Sequence, residues 1–416
     1  MPEMRVVIEA RLPDPRGSGG VSQAIISLAT ALSGLKDCRP DEEFIFIVLE
    51  SAGPWLDSHV SGPCRLHKIP LTWKNRFARS PLGPAAKSIL AVARQLRPPS
   101  ELSITLPDGL AEQLGATLIH FPTQEAYLTD LPNVYQPHDL QHVHLPQYFS
   151  KMEIAKRDLA YPLFCGKANI VLVESSWTKR DIAGHYGIPE DRIAVCPFPP
   201  ATAAYRELSA AQIDALKSEL RHPQFIFYPA QTWPHKNHLR LFEALANLKK
   251  AGLTVPLVCT GRATPFFGEI DAGINRLGIA DQVQFLGYRS EMEIKALYRL
   301  CTAVVVPTKF ESVSFPVWEA FEARKAVACS TVTSLPEQVT TAGLLFDPDD
   351  SAAMAAAIKS LWLDPVLRAR MAEAGAVRLK QFSADRMARH MRALYRSLTK
   401  NMDAEDAAML KAPPLI

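Results

Sequence analysis

Short apolar runs alternate with amphipathic segments along most of the chain. The runs RVVIEA, FIFIVLE, TLIHFP, NIVLVESS, RIAVCP, FIFYPA, VPLVCTG, VQFLGY and TAVVVPT have the composition of buried parallel strands and are bounded by Gly, Pro or polar turns. Between them, segments such as VSQAIISLATALSGL and LRLFEALANLKKAG repeat their apolar residues at helical spacing. This β–α alternation predicts doubly wound α/β sheets.

The length of the chain and one Pro-rich segment predict two domains. A chain of 416 residues suits two domains of roughly 200 residues each. The segment PFPPATAAYRELS has little strand character and precedes the polar helix AAQIDALKSELRH. We predict an N-terminal Rossmann-like domain over 1–200, a linker over 201–223 and a C-terminal Rossmann-like domain over 224–385. Residues 386–416 are predicted as a helix and tail that could cross back to the N-terminal domain.

Composition excludes some classes of protein. A net charge of +3 does not suggest a nucleic-acid binder. The seven cysteines have no metal-ligand spacing and several stand in apolar runs, which is typical of reduced core residues. The N-terminus does not resemble a signal peptide, and no apolar run reaches the roughly 18 residues of a membrane span. We therefore expect a cytoplasmic protein, soluble or at most peripheral to a membrane.

A glycine-rich turn follows the first predicted strand. In the sequence Gly17-Ser18-Gly19-Gly20-Val21, glycines allow close approach of the backbone to a ligand, and the helix that follows offers free N–H groups. A flexible β–α turn without a ligand has the same composition, so this motif alone does not show that a ligand binds here.

A second turn presents a lysine before a helix. In Tyr228–Asn237, YPAQTWPHKN, Lys236 stands where a compact positive charge could meet a diphosphate. An exposed lysine before a helix is the simpler alternative.

Two glutamates eight residues apart form the third motif. Glu311 would lie in the loop after the strand TAVVVPT, and Glu319 in the first turns of the next helix. Both carboxylates could then accept hydrogen bonds from ligand hydroxyls in one cleft. The helix start could bind phosphate oxygens through the backbone of Ser314, Phe315, Pro316 and Val317. Helix-capping acids on a solvated face are the alternative, and a divalent metal is a weaker one.

The fourth motif, Pro137–His144, contains three histidines and an aspartate. Zinc binding is one interpretation, and substrate binding by the His138–Asp139 pair at a strand end is the other. Nothing else in the sequence supplies a pattern for a fourth zinc ligand.

The chain resembles family 4 of the retaining glycosyltransferases, which have the GT-B fold. The resemblance extends from about Arg5 to about Leu398. It is carried most specifically by the order of five blocks, FIFYPAQTWPHKNHLRLFEAL, VQFLGYRS, KFESVSFPVWEAFEARKAVACS, SLPEQ and LLFDPDD. It implies two Rossmann-like domains that face a central cleft, and the enzymatic transfer of a hexose from a nucleotide diphosphate sugar.

The resemblance also implies roles for single residues. Lys236 would neutralise the donor diphosphate, Glu311 would hold a hydroxyl of the transferred sugar, and Glu319 would hold the ribose. His138 matches the histidine whose ring or backbone lies beside the sugar. The remaining residues implied in donor binding are Gly19, Gly20, Gln231, Asn237, Ser314, Phe315, Pro316 and Val317. No metal ion or other cofactor is expected.

Three positions depart from the family pattern. Gln231 stands where many members have an arginine, and Ser312 and Ser314 replace the glycines of E-G-F-G-[LI]-P. A catalytically inactive GT-B binding subunit is therefore an alternative to a transferase, and a GT-B epimerase or phosphorylase is another.

The acceptor expected from the resemblance is a growing glycan in polysaccharide biosynthesis. From Ser58 to Ser100 there is no acid, and eight Lys or Arg residues are interleaved with Leu, Ile, Trp and Phe. Such a segment could bind anionic lipid. We therefore predict a lipid-linked acceptor and peripheral contact with the inner membrane face, with a solvated basic loop as the alternative.

Overall fold

A computed structural model of the chain describes residues 4–70, 105–200, 202, 205–414 and 416. Most of the predicted basic segment, from residue 71 onward, therefore lies outside the described residues. In its described part, Arg65 is paired with Glu43 and Lys68 with Asp57.

The first half of the chain forms a parallel seven-stranded sheet. Its strands have the spatial order β3-β2-β1-β4-β5-β6-β7. They span Met4–Glu9 (β1), Glu42–Leu49 (β2), Cys64–Ile69 (β3), Leu118–Phe121 (β4), Asn133–Tyr135 (β5), Ile170–Val173 (β6) and Ile193–Val195 (β7). The order in which the chain adds strands to the sheet reverses between β1 and β4. In doubly wound sheets this switch point is where ligands bind.

The second half forms a parallel six-stranded sheet with the corresponding order, β10-β9-β8-β11-β12-β13. Its switch point lies between β8 and β11. The strands span Ile226–Pro229 (β8), Leu257–Thr260 (β9), Val283–Phe285 (β10), Ala303–Val306 (β11), Val327–Ser330 (β12) and Leu344–Phe346 (β13). The prediction of two doubly wound α/β sheets is confirmed, and each of the nine predicted apolar runs contains a strand.

Helices cover the faces of both sheets. Those of the described residues span Gly20–Ser33 (α1), Leu110–Gln113 (α2), Gln141–His144 (α3), Lys151–Lys167 (α4), Ser176–Tyr186 (α5), Ala210–Glu219 (α6), His238–Lys250 (α7), Phe267–Leu277 (α8), Glu291–Leu300 (α9), Phe315–Glu322 (α10), Leu335–Val339 (α11), Ser351–Leu363 (α12), Pro365–Leu379 (α13), Ala384–Leu398 (α14) and Ala404–Lys411 (α15). None of them has the length and apolar character of a membrane-spanning helix.

Helix α14 packs on the first domain although it follows the second in sequence. Its Met391 and Tyr395 are buried in the same core as Ile8 of β1 and Leu28 of α1. The hydroxyl of Tyr395 lies 2.8 Å from Nδ1 of the buried His120. The last helices therefore connect the two domains a second time, in addition to the segment around α6.

A buried arginine fixes this return. Arg396, with 4% of its side chain exposed, contacts Glu42 of β2 at 2.7 Å and Asp406 of α15 at 3.1 Å. Both carboxylates are buried as well, so removing the guanidinium would leave two negative charges in a region of low dielectric constant.

We predict that Arg396→Ala lowers the free energy of unfolding by about 3 kcal/mol, the scale of breaking a buried ion pair. Arg324→Ala is the matched control, because its pair with Glu373 is exposed on both sides and should contribute less than about 1 kcal/mol. Urea unfolding of both variants measures the difference, and equal losses would contradict a structural role for the buried network.

Candidate functional site

A lysine and a glutamate from two different loops meet at the switch point of the second sheet. Lys236 follows β8 and Glu311 follows β11, and the ammonium donates to the carboxylate over 2.6 Å. The two side chains are 22% and 13% exposed, so the pair is largely but not fully removed from solvent. The spacing-based prediction placed both residues at strand ends, and the structure brings them into direct contact.

The loop that carries Lys236 is held by its neighbours. Residues Pro234–Lys236 form one 3-10 turn, and Asn237 has a positive φ of 62° before α7 begins. The Asn237 side-chain amide donates to the carbonyl oxygens of Pro307 and Pro348 over 2.9 and 2.8 Å. Asn237, predicted among the donor-binding residues, thus uses its amide to fasten this loop to the loops after β11 and β13.

The backbone of Glu311 is fixed by the loop after β12. Its amide donates to the Thr333 hydroxyl over 3.2 Å, and the Ser334 hydroxyl donates to its carbonyl oxygen over 3.1 Å. Burial raises the pKa of the Glu311 carboxyl, and the charge of Lys236 opposes that rise. The carboxyl group is therefore positioned by its own backbone, and its pKa remains raised overall although its partner opposes the effect of burial.

Glu319 lies deeper, on α10, and is 7% exposed. The hydroxyl of Tyr298, on α9, donates to its Oε2 over 2.5 Å. Burial raises the pKa of Glu319 to about 7, although the Tyr298 hydrogen bond acts in the opposite direction. This glutamate is not a solvated helix cap, since its carboxyl is buried and hydrogen-bonded by a tyrosine.

The start of α10 offers fewer free amides than the sequence suggested. The Ser314 amide donates to Oε1 of Gln338, whose Nε2 donates back to the Ser314 carbonyl oxygen. The Val317 amide donates to the same carbonyl, and Pro316 has no N–H. Of the four predicted positions, Phe315 remains as the candidate whose amide could receive a phosphate oxygen.

The glycine-rich turn of the first domain lies against this site. Gly19 has φ 54° and ψ −125°, and a Cβ there would stand 3.6 Å from Nε2 of Gln231. A Cβ on Gly20 would stand 3.8 Å from the Phe315 ring. The Gln231 amide also donates to the carbonyl oxygen of Gly17 over 3.2 Å. The predicted residues of both domains therefore meet at one place.

His138 presents its backbone rather than its ring. Its φ is 67°, and both ring nitrogens are engaged, Nδ1 with Glu174 at 2.8 Å and Nε2 with the Pro122 carbonyl oxygen at 3.0 Å. Burial lowers the pKa of His138, but the carboxylate of Glu174 outweighs it and the net direction is upward. The Gln136 amide donates to the same carboxylate over 2.7 Å. The ring is thus an anchor for a strained backbone at the end of β5.

Sequence reasoning missed the residues that support this site. Glu174, Tyr298, Thr333 and Gln338 each fix a predicted residue, but none stands next to its partner in sequence. Of these four residues, Glu174 could have been found from the sequence. It directly follows the buried strand in NIVLVESS, and a buried acid is unusual unless it is paired.

Comparisons with known proteins indicate the class of enzyme to which this site corresponds. Residues 213–378 match the sequence profile of the family described as glycosyl transferases group 1. The chain is 26% identical over 269 residues to the O-antigen chain mannosyltransferase B of Escherichia coli, covering 62% of this chain and 71% of that protein. It is 27% identical over 246 residues to the D-inositol 3-phosphate glycosyltransferase of Corynebacterium efficiens, covering 56% and 57%.

Solved structures share the whole fold. Anabaena Alr3699/HepE in complex with UDP-glucose superimposes with a TM-score of 0.68 at 19% identity, covering 95% of this chain and all of that one. Sucrose-phosphate synthase from Thermosynechococcus elongatus gives a TM-score of 0.68 at 17% identity. The predicted GT-B arrangement of two Rossmann-like domains is confirmed, and with the profile and the sequence relatives the protein is a glycosyltransferase.

The buried carboxyl of Glu319 should make stability depend on pH. Its pKa is near 7 in the folded chain and lower in the unfolded chain, so the folded state binds more protons between pH 4.5 and 7. Stability is therefore lost as pH rises through this window. We predict that Glu319→Gln, which lacks this titration, gains about 2 to 3 kcal/mol relative to the unmodified protein between pH 5 and pH 8. Urea unfolding of both proteins at each pH tests this, and a difference that stays constant would contradict it.

Proposed function

We propose that this glycosyltransferase moves a hexose from a nucleotide diphosphate sugar to a glycan acceptor, with retention of the anomeric configuration. The observation that carries the proposal is the contact of Lys236 with Glu311 at the switch point of the second sheet, where the glycine turn of the other domain lies against Gln231 and Phe315. A cation paired with one carboxylate, and a second, buried carboxylate at Glu319 on the helix that follows, suit a ligand that combines a diphosphate with hydroxyl groups.

The proposed roles follow from charge and depth. Lys236 neutralises the diphosphate and exchanges its contact with Glu311 for contacts with phosphate oxygens. Glu311, released from the ammonium, accepts a hydrogen bond from a hydroxyl of the sugar. Glu319, which is held by Tyr298 on the preceding helix α9, accepts from the ribose hydroxyls.

The proposed chemistry is front-face transfer. The bond between the anomeric carbon and the phosphate oxygen breaks, and the acceptor hydroxyl forms its bond on the same face while the leaving phosphate takes its proton. The protein then supplies position and charge stabilisation, through Lys236 and the amide of Phe315 at the start of α10. The backbone at His138 would lie beside the sugar from the first domain.

A mannose-like hexose and a polysaccharide product are supported by the relatives, since one is named as an O-antigen chain mannosyltransferase. An acceptor carried on a lipid would fit such a product. We also propose that the predicted basic segment binds an anionic membrane surface and brings the enzyme to that acceptor.

Turnover should depend on Lys236. We predict that Lys236→Ala lowers kcat by about a hundredfold or more, the scale of losing one charge stabiliser in a largely dry site. Lys249→Ala is the control, because Lys249 lies in the same domain and pairs with the exposed Asp281. Sugar-nucleotide consumption with glycan acceptors measures both. A folded Lys236→Ala protein with unchanged turnover would refute the assignment.

The two glutamates should differ in what they affect. We predict that Glu311→Gln mainly lowers kcat, because Glu311 contacts the sugar being transferred, and that Glu319→Gln mainly weakens nucleotide binding. Isothermal titration with the nucleoside diphosphate alone separates the two effects from turnover. Unchanged nucleotide affinity in Glu319→Gln would show that the ribose role is wrong.

Transfer should not require a divalent ion on the diphosphate. Lys236 supplies the countercharge, and Glu311, once released from the lysine, accepts from a sugar hydroxyl and not from a metal ion. We predict that turnover persists in excess EDTA. Complete loss in EDTA with recovery in magnesium or manganese would place a metal at the diphosphate and contradict the proposed site.

A further inference from the structure

A second cluster of polar side chains lies in the N-terminal domain, away from the groups assigned to the donor. His144, Asp181 and His185 each direct one ligand atom to a common point, and these atoms lie within 4.8 Å of one another. His144 Nε2 is 2.8 Å and His185 Nδ1 is 3.2 Å from the same Asp181 oxygen, Oδ1. The sequence placed His144 in a motif with His138 and His142, but the fold gives it different neighbours.

The cluster is built by helical spacing and one return of the chain. Asp181 and His185 are four residues apart on α5 and therefore project from the same helix face. His144, at the end of the single turn α3, approaches this face from another part of the chain. Two imidazoles and a carboxylate from two elements are a ligand set that proteins use for transition metals.

The state of Asp181 is the second observation. Its side chain is only 6% exposed. Both histidines use Oδ1, whereas Oδ2 is buried and has no hydrogen-bond partner among the described residues. A buried carboxylate oxygen without a partner is costly. The two cations on the same helix have other partners, since Arg180 is paired with Glu337 of the other domain and Lys179 with Glu190.

We propose that His144, Asp181 and His185 bind one divalent transition-metal ion of the zinc class. In a tetrahedral site with metal–ligand bonds of about 2.0 to 2.2 Å, neighbouring ligand atoms stand roughly 3.3 Å apart. The two contacts to Asp181 Oδ1, at 2.8 and 3.2 Å, need to change by about half an ångström or less, and the two histidine nitrogens, which lie within 4.8 Å of each other, would move to the same spacing. The candidate site is empty in the structure.

The ligand chemistry selects the ion. Neutral imidazole nitrogens favour zinc, cobalt, nickel or copper, while magnesium and calcium require mainly oxygen ligands. The site contains one carboxylate and two nitrogens, so a hard cation would be bound poorly. Binding would replace the hydrogen bond between His144 Nε2 and Asp181 Oδ1 and the one between His185 Nδ1 and the Asp181 backbone carbonyl oxygen, and it would release protons from the nitrogens that become ligands.

The position of the cluster suggests what the ion does. The His144 ring packs 5.5 Å from the ring of Phe310, which precedes Glu311, and 5.4 Å from that of Trp177. The Trp177 amide in turn donates to Glu337 of the second domain over 2.9 Å. An ion here would hold α5 and the end of α3 together where the two domains touch. The proposed role of the ion is to stabilise this contact between α3 and α5. That role is independent of the transfer chemistry because no donor-site group is a ligand.

Metal titration of the untagged, full-length protein tests the proposal. After treatment with EDTA and dialysis, isothermal titration with zinc chloride should show saturable binding of one ion per chain. Zinc should also raise the unfolding temperature by a few degrees, as expected for a ligand of the folded state alone. Cobalt chloride should give the visible absorption of a tetrahedral site, and magnesium chloride should give no binding.

Three variants locate the ion. His144→Ala and His185→Ala remove exposed ligands and should each weaken zinc binding by at least about tenfold. His222→Ala, just before the second domain, should leave it unchanged, since the His222 ring forms a hydrogen bond with the Asp281 carbonyl oxygen and lies outside the cluster. Absence of saturable binding, binding that persists in both cluster variants, or equally tight binding of magnesium would each overturn the proposal. Because the readouts are binding and unfolding, they do not depend on whether the proposed transfer reaction is correct.

Discussion

The ion pair between Lys236 and Glu311 is the interaction around which the second domain is arranged. It joins the loops that follow β8 and β11, which flank the point where the strand order reverses. The two opposite charges offset part of each other's cost of burial, and the pair stays closed until a ligand with its own charges and hydroxyls enters.

The supporting contacts show what keeps this pair in place. Asn237 fastens the lysine loop to backbone carbonyls, and Thr333 fastens the glutamate loop through its backbone amide. Gln338 takes both backbone groups of Ser314, so the start of α10 is rigid where a glycine would be more mobile. Ser314, one of the two serines that replace glycines of the family pattern, is thus held by the Gln338 side chain. This arrangement favours a preorganised donor site over a degraded one.

The first domain completes the cleft through main-chain geometry. Gly19, with a positive φ, brings backbone close to Gln231 of the second domain, and His138, at the end of β5, also has a positive φ. The histidine can adopt this conformation because Glu174 and the Pro122 carbonyl hold its ring. Strain of this kind persists only where surrounding contacts determine it and is concentrated at functional sites.

The sequence predicted the parts of the molecule that depend on local pattern. Apolar runs predicted nine of the strands, because buried parallel strands need continuous hydrophobic residues, and the ends of those strands led to Lys236 and Glu311, while Glu319 lies in the helix that follows. The strands Cys64–Ile69, Asn133–Tyr135, Val327–Ser330 and Leu344–Phe346 were missed, and the two of them that have three residues carry little periodicity. Gln338 and Tyr298 were missed because their partners are distant in sequence. His144 was grouped with His138 because they are neighbours in the chain, whereas the fold pairs it with Asp181 on α5.

The most direct test of the account is a crystal structure of the protein with an intact nucleoside diphosphate sugar. We expect Lys236 Nζ to leave Glu311 and contact the diphosphate. The Glu311 carboxylate should then accept a hydrogen bond from the sugar, and the Glu319 carboxylate should accept one from the ribose. A diphosphate bound elsewhere, with the Lys236–Glu311 pair still closed, would contradict it.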